Sequence, residues 1–231
     1  LEIAAYIWTY NEGDFIAHSI RHLIGQGIAV HVFDNWSTDD TLEIARSFSD
    51  AAADHWPAHR EECSTLTSRL QYLEDLAFNC GYDWVIHHDA DEIRRATTGE
   101  TLREFIRRAD HCGYNAVDHA IEVYMPREGW DGTQDPEKFF DELSVANHLD
   151  ARSWHIKCWK QTDYKVNLLS SMGHQACFPY RRVFPEKLLL KHYPLRTQAH
   201  AARKITERRR SYAADELARG HHVQYQTKWW G

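Results

Sequence analysis

No positive field surrounds this chain. Its 231 residues carry a formal net charge of -7 with histidine neutral, which excludes a surface built to hold a nucleic-acid duplex. Cysteine is sparse: Cys63, Cys80, Cys112, Cys158 and Cys177 are odd in number, widely spaced and without a CxxC pair. That argues against a disulfide framework and a structural zinc site, and for a reducing compartment. No apolar run approaches the roughly 20 residues that cross a bilayer, and no signal peptide marks the start. Neither an internal repeat nor a low-complexity tract divides the chain. These absences predict one soluble cytoplasmic domain over residues 1–231, with no nucleic acid as partner. They leave room for peripheral contact with the inner face of a membrane.

What is present can build a core, since 43% of the residues are hydrophobic. Residues 1–10 are apolar and β-prone and stop at Asn11-Glu12-Gly13-Asp14. Asp14 is expected to cap a helix with Phe15, Ile16, Ile20, Leu23 and Ile24 on one face. A strand at 28–33 ends in Asp34-Asn35-Trp36-Ser37, and Thr38 or Asp39 caps the helix carrying Leu42, Ile44, Ala45 and Phe48. A strand at 52–56, a helix at 62–79 and a strand at 82–87 follow, the last running into His88-Asp89-Ala90-Asp91-Glu92. Strands alternating with helices predict a parallel α/β sheet. Beyond it come a helix at 102–111, strands at 115–124, 154–159, 165–169 and 183–190, a polar loop at 126–136 and a charged helix at 197–219. This second half is less regular.

Ligands of open parallel sheets bind beyond the carboxyl ends of the strands. Three polar clusters fall there: Asn11 to Asp14, Asp34 to Ser37, and Asp89 to Glu92. The third carries the chemistry. Two carboxylates one residue apart, leaving a buried strand, suit Mg²⁺ or Mn²⁺, which take oxygen ligands and keep positions for a diphosphate and water. Plainer roles compete with this one. Asp34 also suits an Asx turn, and Asn11-Glu12 a capping segment. His87 and His88 point to opposite faces of a strand, so only one addresses the cluster. The run at 204–210 is by default a solvated helix face, with contact to an anionic membrane surface or a diphosphate as the alternatives, and Trp130, Trp154 and Trp159 either fill core or line an acceptor pocket.

The stretches YNEGDFIAHSIRHLIGQGI, VFDNWSTDDT and DWVIHHDADEI, in that order, resemble the GT-A class of glycosyltransferases, particularly family 2. LLLKHYPLRTQAHAARKI is similar to a downstream His-Tyr-x-x-Arg stretch of related sequences. The resemblance implies a Rossmann-like, mostly parallel sheet flanked by helices, with a nucleotide-sugar half at 1–112 and an acceptor half at 113–231. It places Tyr10, Asn11 and Glu12 against the donor base, Asp34 on base or ribose with Asn35 shaping the turn, and Arg69 on base or diphosphate. Asp89 is assigned to ribose or, through a bound water, to the metal site, Asp91 to the metal directly, and His192 to completing the metal site. His174 is a candidate for acceptor or diphosphate. The implied chemistry is metal-dependent sugar transfer from a nucleoside-diphosphate donor to a glycan or lipid-linked hydroxyl, with inversion. An inverting displacement requires a carboxylate base facing the diphosphate. Glu122, Asp131 and Asp141 are candidates, with Glu122 and Asp131 preferred.

Other classes are a sugar nucleotidyltransferase, a non-catalytic nucleotide- or carbohydrate-binding module, and a metallohydrolase. The first strand is followed by an acidic loop with one glycine, not the glycine-rich basic loop that cradles a triphosphate. No HxH or HxxxH spacing of the zinc-hydrolase kind surrounds HHDADE.

Overall fold

The computed structural model describes residues 1–56, 65–142 and 154–211. β1 (Ile3–Thr9), α1 (Ile16–Gly25), β2 (Ala29–Asp34), α2 (Thr41–Arg46), β3 (Ala51–His55), α3 (Leu66–Asn79) and β4 (Trp84–Asp89) alternate as expected. β5 (Glu92–Ala96), α4 (Leu102–His111), β6 (Ala116–Val117), β7 (His119–Pro126), α5 (Pro136–Phe139), β8 (Phe140–Glu142), β9 (Cys158–Lys160), β10 (Leu188–His192) and α6 (Gln198–Ser211) complete the order.

β1 is buried along its whole length, as a strand covered on both faces must be. Ile3, Ala5 and Ile7 join a core with Ile16, Ile20 and Leu23 of α1 and Phe105 and Ile106 of α4. The alternate positions Ala4, Tyr6 and Trp8 pack with Leu70, Leu73 and Ala77 of α3 on the other face. The sheet order is β3-β2-β1-β4-β9-β6, with β1 to β4 parallel and β9 antiparallel to β4. The chain steps outward from β1 to β3, then returns to the other side of β1 as β4. The carboxyl ends of β1 and β4 therefore flank a topological switch point, where such sheets bind ligands. The mixed α/β architecture agrees with a GT-A Rossmann-like fold.

A second sheet, β5-β10-β7-β8, begins only two residues after β4. It was not anticipated, and the differences from the expected strands have local causes. The run at 115–124 divides at Asp118, whose buried Oδ1 accepts from His119 N (2.8 Å) and His155 N (2.7 Å). Side-chain acceptance there replaces a ladder bond, so β6 stays in the first sheet and β7 enters the second. The stretch at 165–169 forms one bridge, Asn167 to Cys177, and then a 3-10 turn at Leu169–Ser171. Glu74 Oε1 of α3 takes the amides of Leu168 (2.6 Å) and Leu169 (3.2 Å), which a strand would have used. The ladder expected from 183 starts at Leu188, after Pro185 has interrupted the donors. Asp14 does not cap α1: Phe15 occupies that position without a side-chain cap, and the Asp14 carboxylate binds Arg196 instead. α4, by contrast, has the expected bounds because Thr101 and Glu104 form a capping box. Of the helices expected at 62–79 and 197–219, positions 62–64 and 212–219 lie outside the described residues.

Candidate active site

The first two polar clusters are joined by hydrogen bonds between loops. Asn11, in the left-handed region at φ 53, accepts from Thr38 N at 2.7 Å and donates its own amide to Ser37 Oγ at 2.9 Å. Glu12 N donates to Thr41 Oγ1 at 2.9 Å. Asn35 N closes onto Thr9 O at 2.9 Å, and Tyr10 lies half-buried at the same strand end. Asp34 is fully buried at the tip of β2 and accepts from Ser37 N at 2.9 Å, so the Asx turn forms. The same carboxylate lies 3.2 Å from His55 Nδ1 at the end of β3. Trp36, with φ 58, stacks on that imidazole at 3.9 Å and 5°. This flat aromatic pair beside Asp34 was not anticipated; Trp36 and His55 are 19 positions apart, and only the parallel β2–β3 pairing brings them together.

The third cluster is a turn joining the two sheets. Glu92 Oε2 accepts from Asp89 N at 3.2 Å and closes it, and Tyr193 N holds Asp91 O at 2.9 Å. Lys157, itself buried, sits between Glu92 Oε1 (2.9 Å) and Asp89 Oδ2. Burial works to raise the pKa of Glu92, yet Lys157 first and Arg94 second hold it well below the usual carboxylate range. Asp89 is lowered against burial by Lys157 in the same way. Behind the turn, the fully buried Arg94 donates through Nη2 to Glu92 Oε2 (2.7 Å) and His87 O (2.8 Å). Its Nη1 donates to His88 Nδ1 and its Nε to His119 Nε2 at 3.3 Å. A guanidinium only donates, so each of these imidazole nitrogens must be an acceptor. The remaining protons then lie on His88 Nε2, toward Ser19 Oγ (2.8 Å), and His119 Nδ1, toward His155 O (2.7 Å). Burial, and after it the Arg94 charge, pushes both histidines well below their ordinary pKa. His87 faces the opposite way, toward Gly173 O at 3.2 Å. His87 nevertheless shares the Asp89 face of β4 and lies within electrostatic reach of that carboxylate, whereas His88 is taken up by Ser19 and Arg94.

The C-terminal block supplies the other wall. Asp91 Oδ1 stands 3.6 Å from His192 Nε2, at the end of β10, and Asp91 Oδ2 accepts from Lys204 Nζ at 2.7 Å. Burial would raise Asp91, but Lys204 and then His192 hold its pKa well below the normal value. Lys204 is buried, so at this position the run at 204–210 is not the solvated face expected. Arg196, fully buried, pairs with Glu12 and forks onto Asp14 at 2.8 and 2.9 Å. His200 Nε2 accepts from Arg196 at 2.9 Å; burial, then Arg196 and Lys204, bring its pKa down to about 4. His200 and Lys204 lie four residues apart on α6, the one sequence signal that could have placed them on a common face; Arg196 precedes the helix.

A Mg²⁺-sized ion binds oxygen at about 2.1 Å, and the 3.6 Å gap between Asp91 Oδ1 and His192 Nε2 is one that a single ion of this size can bridge. Among the described residues no group of three or more His, Cys, Asp or Glu side chains could hold a metal alone. Mg²⁺ is usually held by one or two carboxylates with phosphate and water, so Asp91 fits the expected ion, and His192 adds a nitrogen ligand better suited to Mn²⁺. Asp89 is turned instead toward Lys157.

The remaining candidates lie further out. Glu122 pairs in register with Lys191, one residue off the His192 level, and accepts from Tyr124 Oη at 2.8 Å. Side chains alternate across a strand, so Glu122 shares the Lys191 face rather than the His192 face. Asp131 is exposed and spends its carboxylate on Thr133 (2.9 and 2.7 Å), and Asp141 is exposed and pairs with Arg127. None of the three bases anticipated from the sequence touches the Asp91–His192 pair in these contacts. Arg69 is half-buried near the start of α3. His174 follows a turn with two successive positive φ values, Met172 and Gly173. Its ring meets His155 edge-on at 5.5 Å, and burial first, Lys157 second, lower its pKa. Trp159 is core, Trp130 packs in a satellite cluster, and Trp154 is exposed.

Among solved structures, the chain is similar to a putative glucose-1-phosphate thymidylyltransferase from Bacillus anthracis, in complex with a sucrose. Identity is 11%, the TM-score is 0.34, and the match covers 55% of this chain and 56% of that one, so the chain spans little over half of that neighbour. Comparison with curated protein sequences gives no significant match. No helix among the described residues is long and apolar enough to cross a membrane. The sequence model described as "Glycosyl transferase family 2" matches residues 5–189, which take in the parallel strands, save the first two residues of β1, and the acidic turn. The chain belongs to glycosyl transferase family 2.

Proposed function

We propose that this chain moves a sugar from a nucleoside-diphosphate donor to a hydroxyl of a glycan or lipid-linked acceptor, with inversion and with Mn²⁺ or Mg²⁺ as cofactor. The observation that carries the reading is the Asp91–His192 pair, 3.6 Å apart at the switch point of the sheet, which suits one oxygen-seeking cation. In this reading Asp34, Trp36 and His55 hold the base and ribose end of the donor, with Tyr10, Asn11, Glu12 and Asn35 building the rim. Asp89, kept ionised by Lys157, accepts from a ribose hydroxyl. Asp91 and His192 hold the cation, which supplies positive charge for the diphosphate as the sugar bond breaks. His174 faces the acceptor side, within electrostatic reach of Lys157 and Asp89.

The acidic loop after β1 disfavours nucleotidyl transfer, because Glu12 there is buried where a triphosphate site needs donors. The test is nucleoside-diphosphate release from a panel of UDP-, GDP- and dTDP-sugars with Mn²⁺ or Mg²⁺. One donor is expected to turn over, and Asp91→Ala should lower its rate by about a hundredfold or more, the scale of losing a principal charge stabiliser. A folded protein that leaves the whole panel intact contradicts the proposal.

A further inference from the structure

We propose that Lys204 is a diphosphate-binding residue that serves as the counter-ion of Asp91 until cation and donor bind together. The inference rests on the function proposed above and assigns a residue to its leaving-group end. Lys204 reaches from α6 across to the β4–β5 turn, with its side chain 2% exposed and its ammonium 2.7 Å from Asp91 Oδ2. The other oxygen of the same carboxylate faces His192 Nε2. One carboxylate thus defines two adjacent positions for positive charge, an ammonium on Oδ2 and a divalent ion on Oδ1. A diphosphate calls for that pairing, and lysine presents it as a compact charge with three donors. Glu12 Oε1, 3.6 Å from the ammonium, fixes it from the β1 side.

Charge balance gives the same answer. Among the described residues, three carboxylates (Glu12, Asp14 and Asp91) meet two cations (Arg196 and Lys204) in the ion pairs around Asp91. These five side chains carry one net negative charge between them. A divalent ion alone turns that into an excess of positive charge beside a buried ammonium, which opposes its binding. The donor's diphosphate, with about two negative charges, more than offsets that excess. Cation and donor are then coupled, each binding better with the other present.

The test is calorimetry on the wild type and Lys204→Met, first with MnCl₂ alone, then with the nucleoside diphosphate that the wild type binds, at saturating Mn²⁺. Loss of the ammonium is expected to tighten Mn²⁺ several-fold and to weaken the nucleoside diphosphate by about tenfold or more, the scale of a hydrogen bond to a charged group. Those opposite signs separate binding from a structural role, since a loosened fold weakens both. If Lys204→Met is unstable, Lys204→Gln, which keeps a polar tip, carries the same expectation. Nucleoside-diphosphate affinity within twofold of wild type, or parallel loss of both ligands, overturns the role of Lys204. A wild type that binds no nucleoside diphosphate overturns instead the function on which it rests.

Discussion

Arg94 has no exposed surface, yet each nitrogen of its guanidinium meets an acceptor: Glu92, the His87 carbonyl, and ring nitrogens of His88 and His119. Removing one partner of a buried ionic network typically costs about 3–5 kcal/mol. Arg94→Met is expected to lose that much in urea unfolding, and Arg94→Lys to lose nearly as much, because an ammonium cannot reproduce the planar fork. A lysine variant as stable as wild type would show that the fork geometry is not what holds the turn. The acids of this site were legible in the sequence because carboxylates at the ends of apolar strands stand out: Asp34, Asp89 and Asp91. Their basic partners were not. Lys157 and Lys204 lie 68 and 113 positions from the acids they meet; nothing local marks Lys157, and Lys204 belongs to a basic run whose default reading is a solvated face. Glu122 stood out for a similar reason, but which face of its strand it takes depends on register, which the sequence alone does not set.

The turn before His174 is the element whose shape is most constrained. Gly173 has φ +84, and an added Cβ would stand 3.0 Å from Leu70 Cδ2 and 3.1 Å from His87 Cε1. Gly173→Ala is expected to cost about 1–3 kcal/mol, from a left-handed backbone and a crowded Cβ together, and to lower the melting temperature accordingly. A melting curve superimposable on wild type would mean that the turn relaxes freely. Such a turn escapes sequence inspection because its cause is tertiary. The carboxylate that takes the Leu168 and Leu169 amides is Glu74, from another helix. The parallel strands β1 to β4 were legible because each is a compact run closed by polar residues or a proline, whereas β6 and β9 of the same sheet are shorter than or shifted from the runs expected at 115–124 and 154–159. The second sheet was missed because its strands divide or shift at Asp118 and Pro185.

At the scale of the molecule, buried histidines couple the fold to pH. Burial lowers His87 to about 4 and His88 and His119 well below their ordinary values. An unfolded histidine takes its proton near pH 6.5, so below that pH the unfolded chain binds protons that the folded chain refuses. Stability is therefore complete above about pH 6.5 and falls as pH drops toward 4. The melting temperature is expected to decline already between pH 6.5 and 5, before an unperturbed carboxylate titrates. A flat profile over that interval would contradict the neutral tautomers assigned around Arg94. The central claim, a cation-dependent donor site at the β1–β4 switch point, is tested most directly by calorimetry with UDP, GDP and dTDP. Each is titrated with and without Mn²⁺, into the wild type and Asp91→Ala. The account predicts one nucleoside diphosphate that binds, needs the ion, and is lost in the variant. A folded wild type that binds none of the three, or binds one equally well without the ion and without Asp91, would contradict it.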